Sequence, residues 1–280
     1  MILVTGATGK VGGELVRLLA ADGYKVRAAV RNPEKARSMA WSNNKNVEIA
    51  SFDYTAPETF APALAGVERM FMLTLTMSSS LELVKTMVDQ AKQAGVRQIV
   101  TLSGMRASHD KTLPSRQLED YIADSGIAFT FLRPNWFMQN FQSPMMRSLT
   151  TEGRILQPAG DAKISYIDTR DIAAVAATAL TDSRHEHQAY TLTGGQALDH
   201  YEIADIFSQV LGKQITYVPL SEDEMRQMMQ QAGTPEKATE MLLRLYQGAR
   251  QGSSAPVSPA VAQVLGRQPI TFAQYVRDHF

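Results

Sequence analysis

Three glycines in a short window, Gly6, Gly9 and Gly12, constrain this chain more than any other feature. They follow an apolar run, Ile2 to Thr5, that reads as a buried strand, and precede a helical pattern from Lys10 to Asp22 with apolar Val11, Leu15, Leu18 and Leu19. At a strand-to-helix junction each glycine has a separate task. Gly6 permits the tight turn, Gly9 lets backbone approach a diphosphate, and Gly12 lets the helix pack closely on the strand. The amides of Thr8, Gly9, Lys10 and Val11 then face the phosphates at the positive end of the helix dipole. The turn is therefore read as a dinucleotide-binding loop.

The rest of the first half repeats the unit. Strands are predicted at Lys25 to Val30, Val47 to Phe52, Arg69 to Leu75, Val96 to Leu102 and Ile127 to Leu132. Helices are predicted near Pro57 to Leu64, Ser80 to Gly95 and Ser115 to Ser125. Alternation of this kind gives an α/β fold, a Rossmann doubly wound parallel sheet, because parallel neighbours need crossover connections. Residues 1–134 are assigned to this NAD(P)-binding domain. Residues 135–280 form a smaller C-terminal substrate-side lobe, with segments at about 160–193 returning to the main sheet. In that lobe strands are expected at Ile164 to Ile167, Ala189 to Leu192 and Gln214 to Val218. Helices are expected at Thr169 to Leu180, Tyr201 to Leu211 and Glu222 to Gln247, and Gly248 to Pro259 reads as a loop.

An acid at the end of the second strand would take the ribose hydroxyls of NAD. Here the strand ends in Arg31, with Lys35 one turn into the next helix, and a guanidinium suits a 2′-phosphate instead. The cofactor is read as NADP(H) in preference to NAD(H). Asp53, ending the third strand, is placed either to accept from the adenine amino group or to cap the turn before Thr55-Ala56-Pro57.

Composition narrows the partners. Lys plus Arg and Asp plus Glu number 28 each, so no long-range field draws the protein to nucleic acid or an anionic membrane. There is no cysteine, which removes disulfides, thiolate metal sites and thiol nucleophiles. No metal site is expected; His185-x-His187 sits in a polar run and reads as a solvated loop. No apolar run reaches transmembrane length and the N-terminus lacks signal-peptide features, so a soluble cytoplasmic chain is the expectation. The expected partner is a small-molecule electron acceptor, with a homodimer left open.

Several segments together resemble the NmrA-like atypical short-chain dehydrogenase/reductases. These are Thr5-Gly6-Ala7-Thr8-Gly9-Lys10-Val11-Gly12, Val30-Arg31-Asn32-Pro33, Phe52-Asp53 and Phe131-Leu132-Arg133-Pro134-Asn135-Trp136-Phe137-Met138-Gln139-Asn140. Tyr166-Ile167-Asp168-Thr169-Arg170-Asp171-Ile172-Ala173, Tyr190-Thr191-Leu192-Thr193-Gly194, Leu265-Gly266-Arg267 and Thr271-Phe272 extend the likeness to nearly the whole chain. Within the family it is most similar to bacterial NAD(P)H-dependent quinone, triphenylmethane-dye and azo reductases. The resemblance implies that Thr8 to Val11 hold the pyrophosphate, and Arg31 and Asp53 the adenosine end. It implies that the loop from Thr74 and Leu75 to Met77, with Ser103 and Gly104, lines the nicotinamide side. Asn135, Trp136, Phe137 and Met138 would lie beside nicotinamide and substrate.

One departure bears on chemistry. Ordinary superfamily members use a Tyr-x-x-x-Lys pair as acid and base, and the segment from Ser103 to Glu119 contains no tyrosine. No catalytic residue is therefore assigned. The expected activity is hydride transfer to an electron-poor conjugated acceptor, which needs orientation more than proton assistance. The alternative is a non-enzymatic NADP(H)-sensing regulator, which the family also contains.

Overall fold

The computed structural model describes residues 1–73 and 80–280. Among the described residues nine strands run in chain order as β1 (Ile2–Thr5), β2 (Val26–Val30), β3 (Val47–Ser51), β4 (Arg69–Leu73), β5 (Gln98–Leu102), β6 (Ala128–Pro134), β7 (Arg154–Gln157), β8 (Gln188–Leu192) and β9 (Thr216–Pro219). The helices of the first half are α1 (Lys10–Ala21), α2 (Pro33–Ala36), α3 (Phe60–Leu64), α4 (Leu81–Gln93) and α5 (Pro114–Asp124). They continue with α6 (Arg147–Glu152), α7 (Thr169–Thr181), α8 (His200–Leu211), α9 (Glu222–Gln231), α10 (Glu236–Arg250), α11 (Ala260–Leu265) and α12 (Phe272–His279). Among the described residues, no helix is long and apolar enough to cross a membrane.

The chain divides into two compact units. The first comprises residues 1–134, 169–192 and 263–266. Its seven strands form one sheet in the order β3-β2-β1-β4-β5-β6-β8, every neighbouring pair parallel. This is the doubly wound Rossmann arrangement read from the alternation, with one strand added beside β6. Every residue of β1, β2 and β5 is buried, so these strands are mostly apolar rather than alternating, with Arg27, Gln98 and Thr101 among their polar exceptions. Edge strand β3 is only half buried. On one face Leu3, Met70, Met72 and Ile99 pack with Val84, Met87 and Val88 of α4 and with Leu118 and Ile122 of α5. Helix α1 packs against α7, and Leu15, Val16 and Leu19 of α1 are wholly buried.

The β2 strand carries one conspicuous cation inside the protein. Arg27 donates to the carbonyls of Ala63 and Ala65 at 2.8 and 2.7 Å, and pairs with Glu48 at 3.1 Å. The guanidinium thereby satisfies the carbonyl end of the short helix α3.

The second unit comprises residues 135–168, 193–262 and 267–280. Its own sheet is small: β7 pairs in parallel with β9, Arg154 opposite Thr216. Its core is aromatic, with Phe141, Tyr166, Phe207, Phe272 and Tyr275 buried together. The strand expected at Ile164 to Ile167 does not form. Those residues make only isolated bridges, Ile164 to Leu198 and Ile167 to Phe137, so an apolar run here reflects burial and not a ladder. The helix expected from Glu222 to Gln247 is two helices. Gly233 takes φ +70° and Pro235 stands at the N-terminal boundary of α10, which together break the pattern. Met225 and Met229 of α9 pack on Leu243 of α10, whereas Met241 is exposed.

Candidate functional site

The sheet order reverses direction between β1 and β4, and ligands of open α/β sheets bind beyond the carboxyl ends of strands at such a point. The glycine turn lies there. Gly6 has φ +64°, the left-handed region, where a side chain would also meet Leu73 at 2.7 Å. A Cβ on Gly12 would strike the Gly6 carbonyl oxygen and come within 2.8 Å of the Gly6 carbonyl carbon. Both assignments made from the motif match this geometry. The expected amide set differs at one place: the Gly9 N–H closes the turn onto the Gly6 carbonyl at 2.8 Å. Gly9 is the N-cap of α1, and no side chain caps that end. The amides of Val11 and Gly12, in the first turn, have no carbonyl of the same helix ahead of them.

A cavity of about 210 Å³ opens from this turn, lined by Gly6, Thr8, Gly9, Arg31, Asp53 and Tyr54 among others. Its rim is cationic. Arg31 and Lys35 are exposed, and neither side chain makes a salt bridge or hydrogen bond among the described residues. Asn32 caps α2 by accepting from the Lys35 amide at 3.0 Å, which fixes the backbone that carries both cations. Asp53 accepts from the Thr55 amide and hydroxyl, each at 2.8 Å. These bonds, the backbone one first, hold its carboxyl below the usual carboxylate range, with Arg31 adding a smaller attraction. Asp53 thus serves as the turn cap while also lining the cavity. Tyr54, which the sequence reading passed over, donates to the Leu73 carbonyl at 3.1 Å and closes the cavity floor. The cradle fits a dinucleotide diphosphate: a glycine turn packed closely on the helix start, a cavity beside it, helix amides and a cationic rim.

Ser103 and Gly104 follow β5 directly. Among the described residues, nothing lies within 4 Å of a Cβ built on Gly104. The Ser103 hydroxyl donates to Glu119 of α5 at 2.5 Å, and Arg133 grips the same carboxylate through Nε at 3.1 Å and Nη2 at 2.5 Å. Glu119 is 1% exposed, so this is a buried ion pair with the serine committed to it. Sequence reading missed the trio, because its members are separated by 16 and 14 positions and sit on a loop, a helix and a strand. Tyr121 on the same helix donates to Asp89 at 2.7 Å at the surface, away from Ser103's carboxylate partner. Thr74 and Leu75 lie outside the described residues.

In the second unit, Asn135 is buried and spends its amide nitrogen on the Ser165 hydroxyl at 2.7 Å and the Ser254 carbonyl at 2.8 Å. It holds three segments together. Phe137 is half-buried, and the Met138 amide donates to the Ile167 carbonyl at 2.9 Å. Met138 is itself a core residue. Trp136 instead lines a cavity of about 250 Å³ with Asn140, Phe141, Gln157, Tyr166, His200 and Tyr246. Within it Tyr246 donates to the Gln157 side-chain oxygen, and the Tyr166 hydroxyl lies 3.3 Å from His200 Nε2. The His200 ring stacks on Tyr217 with centroids 5.0 Å apart. Burial lowers the His200 pKa to about 4, so the imidazole is neutral at pH 7.

Comparison with known proteins agrees with this geometry. The profile of the NmrA-like family matches residues 1–276. The chain is 36% identical to an NAD(P)H azoreductase of Xenophilus azovorans, the match covering 100% of this chain and 98% of the relative. Among solved structures, the NADPH-dependent quinone oxidoreductase QOR2 of Escherichia coli in complex with NADPH superposes with TM-score 0.86 at 28% identity, covering 99% of each chain. The triphenylmethane reductase of Citrobacter sp. complexed with NADP(H) gives the same TM-score, 0.86, at 28% identity and 100% coverage of both.

Proposed function

Because the chain belongs to the NmrA-like family, we propose that it is an NAD(P)H-dependent reductase that transfers hydride to an electron-poor conjugated acceptor of the quinone or dye class. One observation carries the reading: a glycine turn at the switch point, left-handed at Gly6 and with Gly12 pressed against the Gly6 carbonyl. The relatives' activities on azo compounds, quinones and triphenylmethane dyes supply the acceptor class.

When bound, the reduced nicotinamide supplies the hydride. The turn residues and the amides at the start of α1 hold the diphosphate, and Arg31 with Lys35 attracts a 2′-phosphate. NADPH is accordingly preferred over NADH. Ser103 does not serve as an activated hydroxyl, because its proton is directed to Glu119. Charge arriving on a conjugated acceptor delocalises, and solvent provides the proton that completes the two-electron reduction. Residues of this chain then contribute orientation and exclusion of water rather than acid–base work.

Two measurements test this. Mixing the protein with NADPH and a panel of quinones and dyes should give acceptor-dependent loss of cofactor absorbance. NADPH binding by calorimetry without any turnover across the panel would replace the reductase with a cofactor-sensing role. In the same calorimeter Arg31→Ala should narrow the NADPH-over-NADH preference by about tenfold, the worth of one charge-assisted contact. Equal affinities in the unaltered protein would overturn the assignment of NADP(H).

A further inference from the structure

At the carboxyl ends of β5 and β6 a buried ion pair is committed to one serine. The ladder pairs Leu102 with Leu132, and the Ser103 amide still donates to the Leu132 carbonyl at 2.8 Å. Ser103 and Arg133 are therefore next in register, on the face where Ile99 and Phe131 pack with α5. Helix α5 brings Glu119, 1% exposed, to both of them. A pair so deeply buried seldom stabilises a fold more than apolar side chains of the same volume would. Its place at the ligand edge of the sheet points to work on Ser103 instead.

The pair fixes the direction of the serine proton. Both oxygens of Glu119 accept from Arg133, so the carboxylate only accepts and the Ser103 hydroxyl donates to it at 2.5 Å. A hydroxyl has one proton. What remains on Ser103 is its lone pairs, which take no donor among the described residues. Ser103 is half-buried, and beside it a Cβ on Gly104 would meet nothing within 4 Å among the described residues. A quinone carbonyl offers no proton to such an oxygen, so its partner is a donor.

Position selects which donor. The cavity at the glycine turn is lined by Val30, Arg31, Phe52 and Asp53, from the β2 and β3 side of β1, whereas β4 and β5 lie on the other side. A dinucleotide with its diphosphate at the turn and its adenosine in that cavity lays its other half over β4 and β5. The end of β5 is two strand spacings, about 10 Å, from β1. A ribose and a ring bridge that distance, and the N–H donor on that ring is its carboxamide.

We infer that Ser103 is a fixed acceptor for the carboxamide N–H of the nicotinamide ring, with Glu119 and Arg133 as the positioning residues that keep its proton turned away. The contact holds the ring against rotation about its glycosidic bond, and so selects the face that gives up hydride. The inference rests on the NADP(H) reading of the cradle and not on the nature of the electron acceptor.

The test is calorimetry on the full chain with oxidised ligands, so that no turnover intervenes. The probes are NADP⁺ and its 3-acetylpyridine analogue, in which a methyl replaces the carboxamide NH₂. The unaltered protein should bind NADP⁺ about tenfold more tightly, the worth of one hydrogen bond. Ser103→Ala should level the two affinities, and Ser103→Thr, which keeps the hydroxyl, should retain the difference. Glu119→Gln tests the positioning. Arg133 requires an acceptor, so the new amide's oxygen faces it and its nitrogen donates to Ser103, which turns the serine proton toward the ligand. The preference for NADP⁺ should then vanish although the serine is present; a purely structural role would weaken both ligands alike and leave their ratio unmoved. Equal affinities in the unaltered protein would overturn the inference alone, with no variant needed. Ser103→Ala weakening both ligands alike, the mark of a ribose contact, would also overturn it. A full preference retained in Glu119→Gln would remove the positioning pair. Binding of neither ligand would defeat the cofactor reading and the inference together, whereas an intact ratio without turnover of any quinone or dye would defeat the reductase reading alone.

Discussion

The two candidate sites of this molecule are built from different materials. In the first unit the dinucleotide cradle is made of backbone: a left-handed Gly6, a glycine at position 12 pressed on the Gly6 carbonyl, and helix amides. In the second unit the cavity is made of side chains, Trp136, Gln157, Tyr166, His200 and Tyr246, brought together from segments far apart in sequence. A backbone site tolerates almost no change at its few glycines and is indifferent to much of the surrounding sequence. A side-chain site spreads its requirements over many positions, and each can be altered singly. The first suits a ligand of fixed shape, and the second one whose shape varies.

The sharpest way to break this comparison is to show that the first unit also depends on a side-chain network. Glu119→Ala leaves Arg133 largely buried without its carboxylate, and should lower stability by about 4 kcal/mol, the range for breaking a buried pair. Urea unfolding midpoints measure it; a loss comparable with that of a surface pair would show that the Ser103–Glu119–Arg133 trio is not structural. Next in size is a pH effect confined to the second unit. Burial lowers the native pKa of His200 to about 4, against 6.5 for a free imidazole. Between these values the unfolded chain binds a proton that the native state refuses, so stability falls as pH drops from 6.5 to 4. The full loss is about 3 kcal/mol. Above pH 6.5 this contribution is flat. Thermal or urea unfolding of His200→Phe across the same range should lack that share of the slope, and identical slopes in the two proteins would place His200 elsewhere than in a dry cavity.

Smaller in energy but more discriminating are two glycine substitutions. A Cβ at Gly12 strikes the Gly6 carbonyl, and a Cβ at Gly194 strikes the Tyr166 carbonyl. Overpacking of this kind costs about 2 kcal/mol in either unit. Gly12→Ala should weaken NADPH binding by tenfold or more, and Gly194→Ala should leave it unchanged. Calorimetry with NADPH reads both. Equal losses of NADPH affinity in the two variants would erase the distinction between the sites.

How much of this was visible beforehand follows the same division. The β1 turn, the strands of the parallel sheet and the cationic end of β2 follow from local pattern, since periodicity and glycine spacing act over a few residues, whereas the order of the strands is a tertiary fact. The apolar run at Ile164 to Ile167 misled, because burial in an aromatic core and burial in a sheet demand the same residue types. The break of the Met-rich helix was written in Gly233 and Pro235 and was passed over. His200 carried no signal at all as a lone histidine at a helix start.

By itself, then, the amino-acid order determined the Rossmann sheet, the glycine turn after β1 and the cationic residues beyond β2. Each depends on contacts within one strand–turn–helix unit, where sequence neighbours are spatial neighbours. Only the tertiary structure decided that Ser103 serves Glu119, that Asn135 ties segments together, and that His200 meets Tyr166 in a cavity. Those contacts join residues whose separation along the chain leaves no periodic trace, and packing alone brings them within hydrogen-bond distance.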